Sequence, residues 1–341
     1  MRMQTPLVAV ALCGVVLLGT SIHSAAEWNP KLAAAYLDGR QKDWFAWKPA
    51  QSANGPCVSC HTGMPYLLAR PALRKFLNEK APTMYETGLI DRLQSHAGAK
   101  PEAVLQGVEM IFAAMFVTDA TARQKTFDQL WALQKQDGPL KGGWQWYNAN
   151  LDPWETSAAF RYGSAFAALA IGSAPADIRA SAETQARLRA LGEFLQTDYE
   201  KRPLHTRLAI LWAATKVPDL IPAAARQATI DEVLAKQQPD GGWTLESLGP
   251  WDEHAAAPPS VTPGASHAYA TAFTTYVLKQ ATGGAMRSRI GRATDWLKAH
   301  QDRQTGAWPA VSMNKTYPAG SMEEKFLQDA ATAFAVLALT S

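Results

Sequence analysis

Cysteine is scarce in this chain, with three among 341 residues. That excludes a disulfide-stapled scaffold. Charge of one sign is missing as well. The 33 Lys and Arg stand against 30 Asp and Glu, for a net charge of +3, and no Lys/Arg run occurs. Nucleic acid is therefore not an expected partner. No alternating strand pattern of any length is present, which excludes a β architecture. The apolar run at residues 7–18, LVAVALCGVVLL, is too short to cross a bilayer comfortably. Arg2 precedes it, and Ser24 and Ala26 offer small residues just before Glu27. It reads as an export signal over 1–26, leaving a periplasmic or otherwise exported chain without a transmembrane span.

Apolar residues make up 47% of the chain, ample for a large core, and tryptophan is plentiful at 12. Loss of the signal would remove Cys13 and leave Cys57 and Cys60 in the stretch GPCVSCHTGMPY. A thioredoxin-like pair needs a βαβ setting, and a zinc site needs further ligand pairs; neither is visible. C-x-x-C-H also meets the demands of covalent haem attachment: two thiols for the two vinyl groups, and an imidazole directly after the second thiol. One haem c is expected, with Cys57 and Cys60 as thioether sites and His61 as the axial iron ligand. The sixth ligand is not fixed by the sequence: Met84, Met110, Met115, His96, Met313 and Met322 are candidates, and the position could also be open.

The remainder is repetitive. DQLWALQ (128–134), DEVLAKQ (231–237) and DWLKAHQ (295–301) each begin with Asp and place Gln six residues later. Each runs on to a Gly-x-Trp ending at Trp144, Trp243 or Trp308, and ALGEFLQ (190–196) is a degraded fourth copy. A second element follows: GSAFAALAIG (163–172), ATAFTTYVL (270–278) and ATAFAVLAL (331–339), with LHTRLAILWAA (204–214) as the degraded counterpart. The first helix of each unit carries an apolar stripe and a polar back, as an outer helix would; the second is apolar nearly all round, as an inner helix would be. Such alternation predicts an all-α fold, an α/α toroid. Residues 27–120 supply further helical patterns at 30–40, 64–79, 83–97 and 101–117. They are expected to form a haem-bearing segment that makes up the first hairpins of the ring, ahead of the repeats over 121–341.

The spacing of Gln136…Gly142-Gly143-Trp144, Gln238…Gly241-Gly242-Trp243 and Gln301…Gly306-Ala307-Trp308 resembles the QW motif of squalene–hopene cyclases. The ATAF helices resemble the inner helices of the terpenoid cyclase and protein prenyltransferase superfamily. The resemblance implies a toroid in which each Gln caps a helix and stacks on the Trp, and it implies no catalytic role for either. Departures are plain. No D-x-D-D occurs, no two Asp are adjacent anywhere, and no free cysteine remains to hold a zinc.

The loops 144–156, 243–267 and 308–323 should converge on one end of the ring. Trp154, Trp251, His254 and His267 are the candidate cavity residues, alongside Trp146, Tyr147 and Tyr317. Three functions compete. The first is redox or electron-transfer chemistry, at a haem beside a cavity for an apolar or isoprenoid-like ligand and with a possible electron-transfer partner. The second is a pure electron relay or binding protein. The third is a non-redox toroid enzyme, cyclase- or lyase-like, in which the haem is structural.

Overall fold

The computed structural model describes residues 1, 27–52, 55–96, 106–251, 262 and 264–341. The expected export signal, beyond residue 1, and the candidate His254 lie outside these residues. Helix α1 (Pro30–Ala46) is followed by α2 (Gly63–Phe76), α3 (Met84–His96) by α4 (Gln106–Phe116), and α5 (Ala120–Leu133) by α6 (Ala159–Ser173). After the short α7 (Ala176–Ala180), α8 (Ala182–Gln196) leads to α9 (Leu204–Ala214), α10 (Ala223–Ala235) to α11 (Ala268–Thr282), and α12 (Arg287–Ala299) to α13 (Phe326–Thr340). A two-residue antiparallel ladder, Gln51–Ser52 with Gly55–Pro56, lies before α2.

The even-spaced apolar helices form the inner wall. Helix α13 packs on α2 and α11, α11 on α9, α9 on α6 and α6 on α4. Each outer helix packs against the inner helix before it: α3 on α2, α5 on α4, α8 on α6, α10 on α9 and α12 on α11. Helix α1 packs on α13, which closes the circle. The toroid expected from the repeats is thus observed. The two helix classes differ as their sequences dictate. In α12 the buried residues Ile290, Ala293, Trp296 and Leu297 fall on one stripe, whereas α13 is buried from Leu327 through Ala338 on all sides except Gln328.

The repeat has a physical unit. Trp144, Trp243 and Trp308 are fully buried, and their indole N–H groups donate to Leu130, Val233 and Leu297, at 2.8, 2.7 and 2.7 Å. These last-turn carbonyls also accept a backbone N–H at the helix end, from Gln134, Lys236 and His300, so the indole adds a second hydrogen bond. The backbone N–H of each Trp donates in turn to Ser164, Thr271 or Thr332, the small polar residue of the SAF or TAF sequence on the inner helix. One indole therefore ties an outer helix end to the turn, and its amide ties the turn to the inner helix.

The glutamines correct the motif assignment. Gln136 and Gln238 bond only to nearby carbonyls, Gln134 and Lys236. Gln134, Gln237 and Gln301, six residues after the repeat's Asp, do the joining. Each donates to a carbonyl of its own turn, Gly142, Gly241 or Gly306. Each also donates to the start of the next outer helix, at Arg187, Arg289 or Asn29. Gln196, of the degraded repeat, makes the equivalent bond to Leu220 just before α10. Only at Gln301 does the QW-like spacing pick the residue that caps.

The same contact explains a glycine. Gly306 has φ +80°, and a methyl group there would run into the backbone of Leu32 in α1. Gly142 and Gly241 occupy the same place against Ala190 in α8 and Arg292 in α12. Gly320 shares the left-handed φ of +79° but faces open space. Gly320→Ala should cost about 1–2 kcal/mol of unfolding free energy from the backbone alone. Gly306→Ala should cost about 1–3 kcal/mol more, because α1 must move. Urea unfolding of the two variants measures the difference; equal losses would show that the turn does not set helix packing.

His205 sits in the ring interior, 1% exposed, with Nε2 2.7 Å from the Tyr269 hydroxyl and its ring stacked on Tyr162. Burial pushes its pKa down to about 3, and pushes His267 down to about 4. The unfolded chain takes up these protons near pH 6.5 and the folded chain does not. Stability is therefore fully present above about pH 6.5 and is lost as pH falls toward the folded values. Burial raises the carboxyls of Glu155 and Asp329, which bends the curve the other way. A comparison of variants isolates the imidazole. Unfolding free energy should fall between pH 7 and pH 5, and His205→Gln should fall less steeply; parallel slopes would contradict the assignment.

Candidate functional site

A small cleft of about 40 Å³ opens at one end of the ring, between three segments far apart in sequence. The turn before α2 contributes His61, the loop between α5 and α6 contributes residues 151–155, and the chain from Ser312 to Leu327 contributes the facing wall. The first and third of the three predicted loops thus meet. Their junction is a side-chain clamp: Asn314 Oδ1 accepts from the Asp152 backbone N–H at 2.8 Å, and its Nδ2 donates to the Asp152 carbonyl at 2.7 Å.

The loop 149–155 folds back on itself through backbone bonds between Leu151 and Glu155, with a cis peptide at Asp152–Pro153. Trp154 anchors it. Its indole donates to the Tyr269 hydroxyl at 3.0 Å, and its carbonyl accepts from the Trp146 indole at 2.7 Å. Tyr269 also meets His205, so the cleft loop is tied into the ring interior. Asp152 and Glu155, both lining the cleft, are held on either side of this anchor.

Burial raises the Glu155 carboxyl above its ordinary range, and the Cys60 thiol, 3.6 Å from Oε1, partly counters it. Glu155 is thereby biased toward holding a proton. Tyr317 faces it from the third segment, half-exposed, with Lys315 5.0 Å above its ring. His61 lies 7% exposed between Phe326, stacked at 3.6 Å, and the edge of Trp44 at 5.2 Å. Burial, then the Arg40 charge, push its pKa down to about 3, so it is neutral at physiological pH. Asp152, Glu155 and Glu323 are the charged residues of the lining; no Lys or Arg is among them.

Of the predicted cavity residues, Trp154 lines the cleft and Trp251 and His267 do not. Trp251 packs near His205, with its indole on the Leu245 carbonyl. His267 begins α11, its backbone N–H bonded to the Trp243 carbonyl. Sequence reasoning missed Asp152, Glu155 and Asn314. Two carboxylates three residues apart, within a loop rich in aromatic residues, were the available signal for the first two.

The C-x-x-C-H residues are divided. His61 lines the cleft but neither cysteine does. Cys57 packs with Trp44, Trp47, Met322 and Phe326, and Cys60 is buried. Cys57 shares Trp44 and Phe326 with His61, and the Cys60 thiol reaches the cleft-lining Glu155. Among the described residues no group of three or more His, Cys, Asp or Glu is placed to hold a metal ion. Of the expected sixth ligands, Met313 shares the cleft with His61, Met84 is exposed, Met110 and Met115 lie in α4, Met322 packs with Cys57, and the His96 side chain is outside the described residues. No helix among the described residues is long and apolar enough to cross a membrane.

No family model and no curated protein matches the chain. Solved structures do. One is an inactive variant of the GH76A alpha-1,6-mannanase of Salegentibacter sp. HEL1_6, two neighbouring aspartates replaced by asparagine, in complex with alpha-1,6-mannotriose. It has 10% identity and a TM-score of 0.55, covering 91% of this chain and 100% of that one. The unsubstituted mannanase matches at 11% identity and TM-score 0.54, with 91% and 100% covered. A polysaccharide lyase matches at 13% identity and TM-score 0.48, with 91% and 97% covered. At such identities the likeness to the mannanase establishes the fold. It corrects two expectations. The expected resemblance to squalene–hopene cyclases is not what the solved structures show: the likeness is to the fold of the mannanase. The expected redox or electron-transfer reading gives way with it, and the likeness lends the haem and iron features no support.

Proposed function

We propose that the chain is a non-redox toroid enzyme that hydrolyses glycosidic bonds in an uncharged glycan, with Glu155 as the proton donor. The observation that carries this is the raised carboxyl of Glu155, in a cleft that Asp152 shares. Glycoside hydrolysis uses one carboxyl that delivers a proton to the leaving oxygen and a second that activates water or attacks the sugar. Glu155 suits the first task because burial raises its carboxyl above the ordinary range, and Asp152 is the candidate for the second. The half-exposed Tyr317 offers a face for a sugar ring.

The mannanase likeness supports the glycan class. The inactive mannanase replaces two neighbouring aspartates. This chain has no adjacent Asp pair, so its carboxylates are a different pair, Asp152 and Glu155. The charge of the lining argues against an elimination on acidic sugars. A uronate brings a carboxylate that the three lining acids would repel, although Lys315 stands over the ring of the lining Tyr317. The apolar run at 7–18, read as an export signal, suits an enzyme that meets its glycan outside the cytoplasm.

Incubation with an alpha-1,6-linked mannan, followed by chromatography of the products, tests the proposal. Wild-type protein should release shorter oligosaccharides. Glu155→Gln and Asp152→Asn should each lower kcat by about 100-fold or more while leaving the unfolding midpoint near that of wild type. The basic limb of the pH–rate profile should lie above the ordinary glutamate range, because activity persists until Glu155 loses its proton. Absence of cleavage, or full activity in Glu155→Gln, would contradict the proposal.

A further inference from the structure

Behind the cleft lies a chain of hydrogen bonds that glycan cleavage by the two carboxylates does not use. Asp329, 2% exposed on α13, receives four donors. Its Oδ1 accepts from Tyr36 at 2.7 Å and Arg40 Nε at 2.7 Å; its Oδ2 accepts from Arg40 Nη2 at 3.0 Å and Thr62 Oγ1 at 2.8 Å. Gln328 Nε2 donates to the Tyr36 hydroxyl at 2.9 Å, so the hydroxyl's one hydrogen is committed to Asp329. The Thr62 hydroxyl hydrogen is likewise committed. Thr62 Oγ1 also lies 3.1 Å from His61 Nδ1, and it can only accept there. With Asp329 ionised beside Arg40, Nδ1 carries the imidazole hydrogen and Nε2 keeps a bare lone pair.

His61 is turned with Nδ1 toward this buried chain, while the same ring lines the cleft. Phe326 covers one ring face and Trp44 approaches with its edge, so the ring has little freedom to flip. We propose that His61 Nε2 is a fixed hydrogen-bond acceptor for a sugar hydroxyl in the cleft, with Thr62 and Asp329 as the positioning residues that set its tautomer. The assignment rests on the glycan-cleaving function proposed above and adds a substrate contact to it. A neutral acceptor held in one tautomer binds a hydroxyl without reorganising, which is how a buried polar group contributes specificity. A substrate lacking that hydroxyl would leave Nε2 unpaired.

Long-range ¹H–¹⁵N spectra of histidine-labelled full-length protein test the tautomer directly. His61 should show a bare Nε2 and a protonated Nδ1, unchanged from pH 8 to pH 5. Thr62→Ser should keep that signature, whereas Thr62→Val should mix the tautomers; Asp329→Asn should do the same where it folds. Addition of alpha-1,6-mannotriose should shift the wild-type Nε2 signal upfield, and Thr62→Val should raise the KM for mannan about 10-fold with kcat within about twofold. A protonated Nε2 in wild type overturns the proposal, and so does trisaccharide binding that leaves Nε2 unmoved. A covalent tetrapyrrole in the intact mass would give the lone pair to iron and overturn it too. A bare Nε2 without any trisaccharide binding would instead remove the glycan function and the contact together, while the tautomer relay stood.

Discussion

The carboxamide of Gln301 closes the ring. Its Oε1 accepts from the Asn29 backbone N–H at 2.6 Å, and its Nε2 donates to the Asn29 carbonyl at 3.0 Å and to Gly306 at 2.9 Å. Asn29 is the N-cap of α1, so one side chain joins the last outer-helix turn to the start of the first helix. The other glutamines make the same kind of joint within the chain, and each costs little loop entropy. This one links residues 272 apart in sequence. Without it α1 and α2 would be held to α13 by apolar packing, the Asp329 bonds and the Gln328–Tyr36 bond.

The cleft depends on that closure. His61 precedes α2, at the front of the chain, while Met313, Asn314 and Tyr317 come from near its end. They become neighbours only because α13 packs on both α1 and α2. The bonds of Asp329 to Tyr36, Arg40 and Thr62 cross the same seam. The seam thus supplies mechanical closure, and it supplies the buried carboxylate that orients the imidazole. Trp154 performs the complementary task from the opposite wall, fixing the carboxylate loop to Tyr269 in the ring interior.

What could be read in advance follows from the range of each interaction. The repeat was legible because its physics is local. An outer helix end, a Gly turn, a buried indole and a Ser or Thr one helix later recur within each unit. The degraded copy kept Gln196 and its bond to Leu220 even though its Gly-x-Trp is gone. Register was harder. The glutamine nearest each Gly-x-Trp attracts the eye, yet in the first two units the joint is made at Gln134 and Gln237, where the helix face points to the next repeat. The cleft was largely illegible, because Glu155 acquires its raised pKa from burial and His61 its orientation from Thr62 and Asp329. The C-x-x-C-H motif is local and legible, but that its imidazole lines the cleft is not, because the facing wall comes from residues 312–327.

Hydrogen–deuterium exchange of the full chain, with and without alpha-1,6-mannotriose, tests most directly whether the seam and the carboxylate loop together form a glycan site. The account predicts slower exchange on binding at 59–63, 151–155 and 312–327, the segments that meet at the cleft. Unchanged exchange in all three, or protection centred instead on the α10–α11 connection around Trp251 and His267, would contradict it.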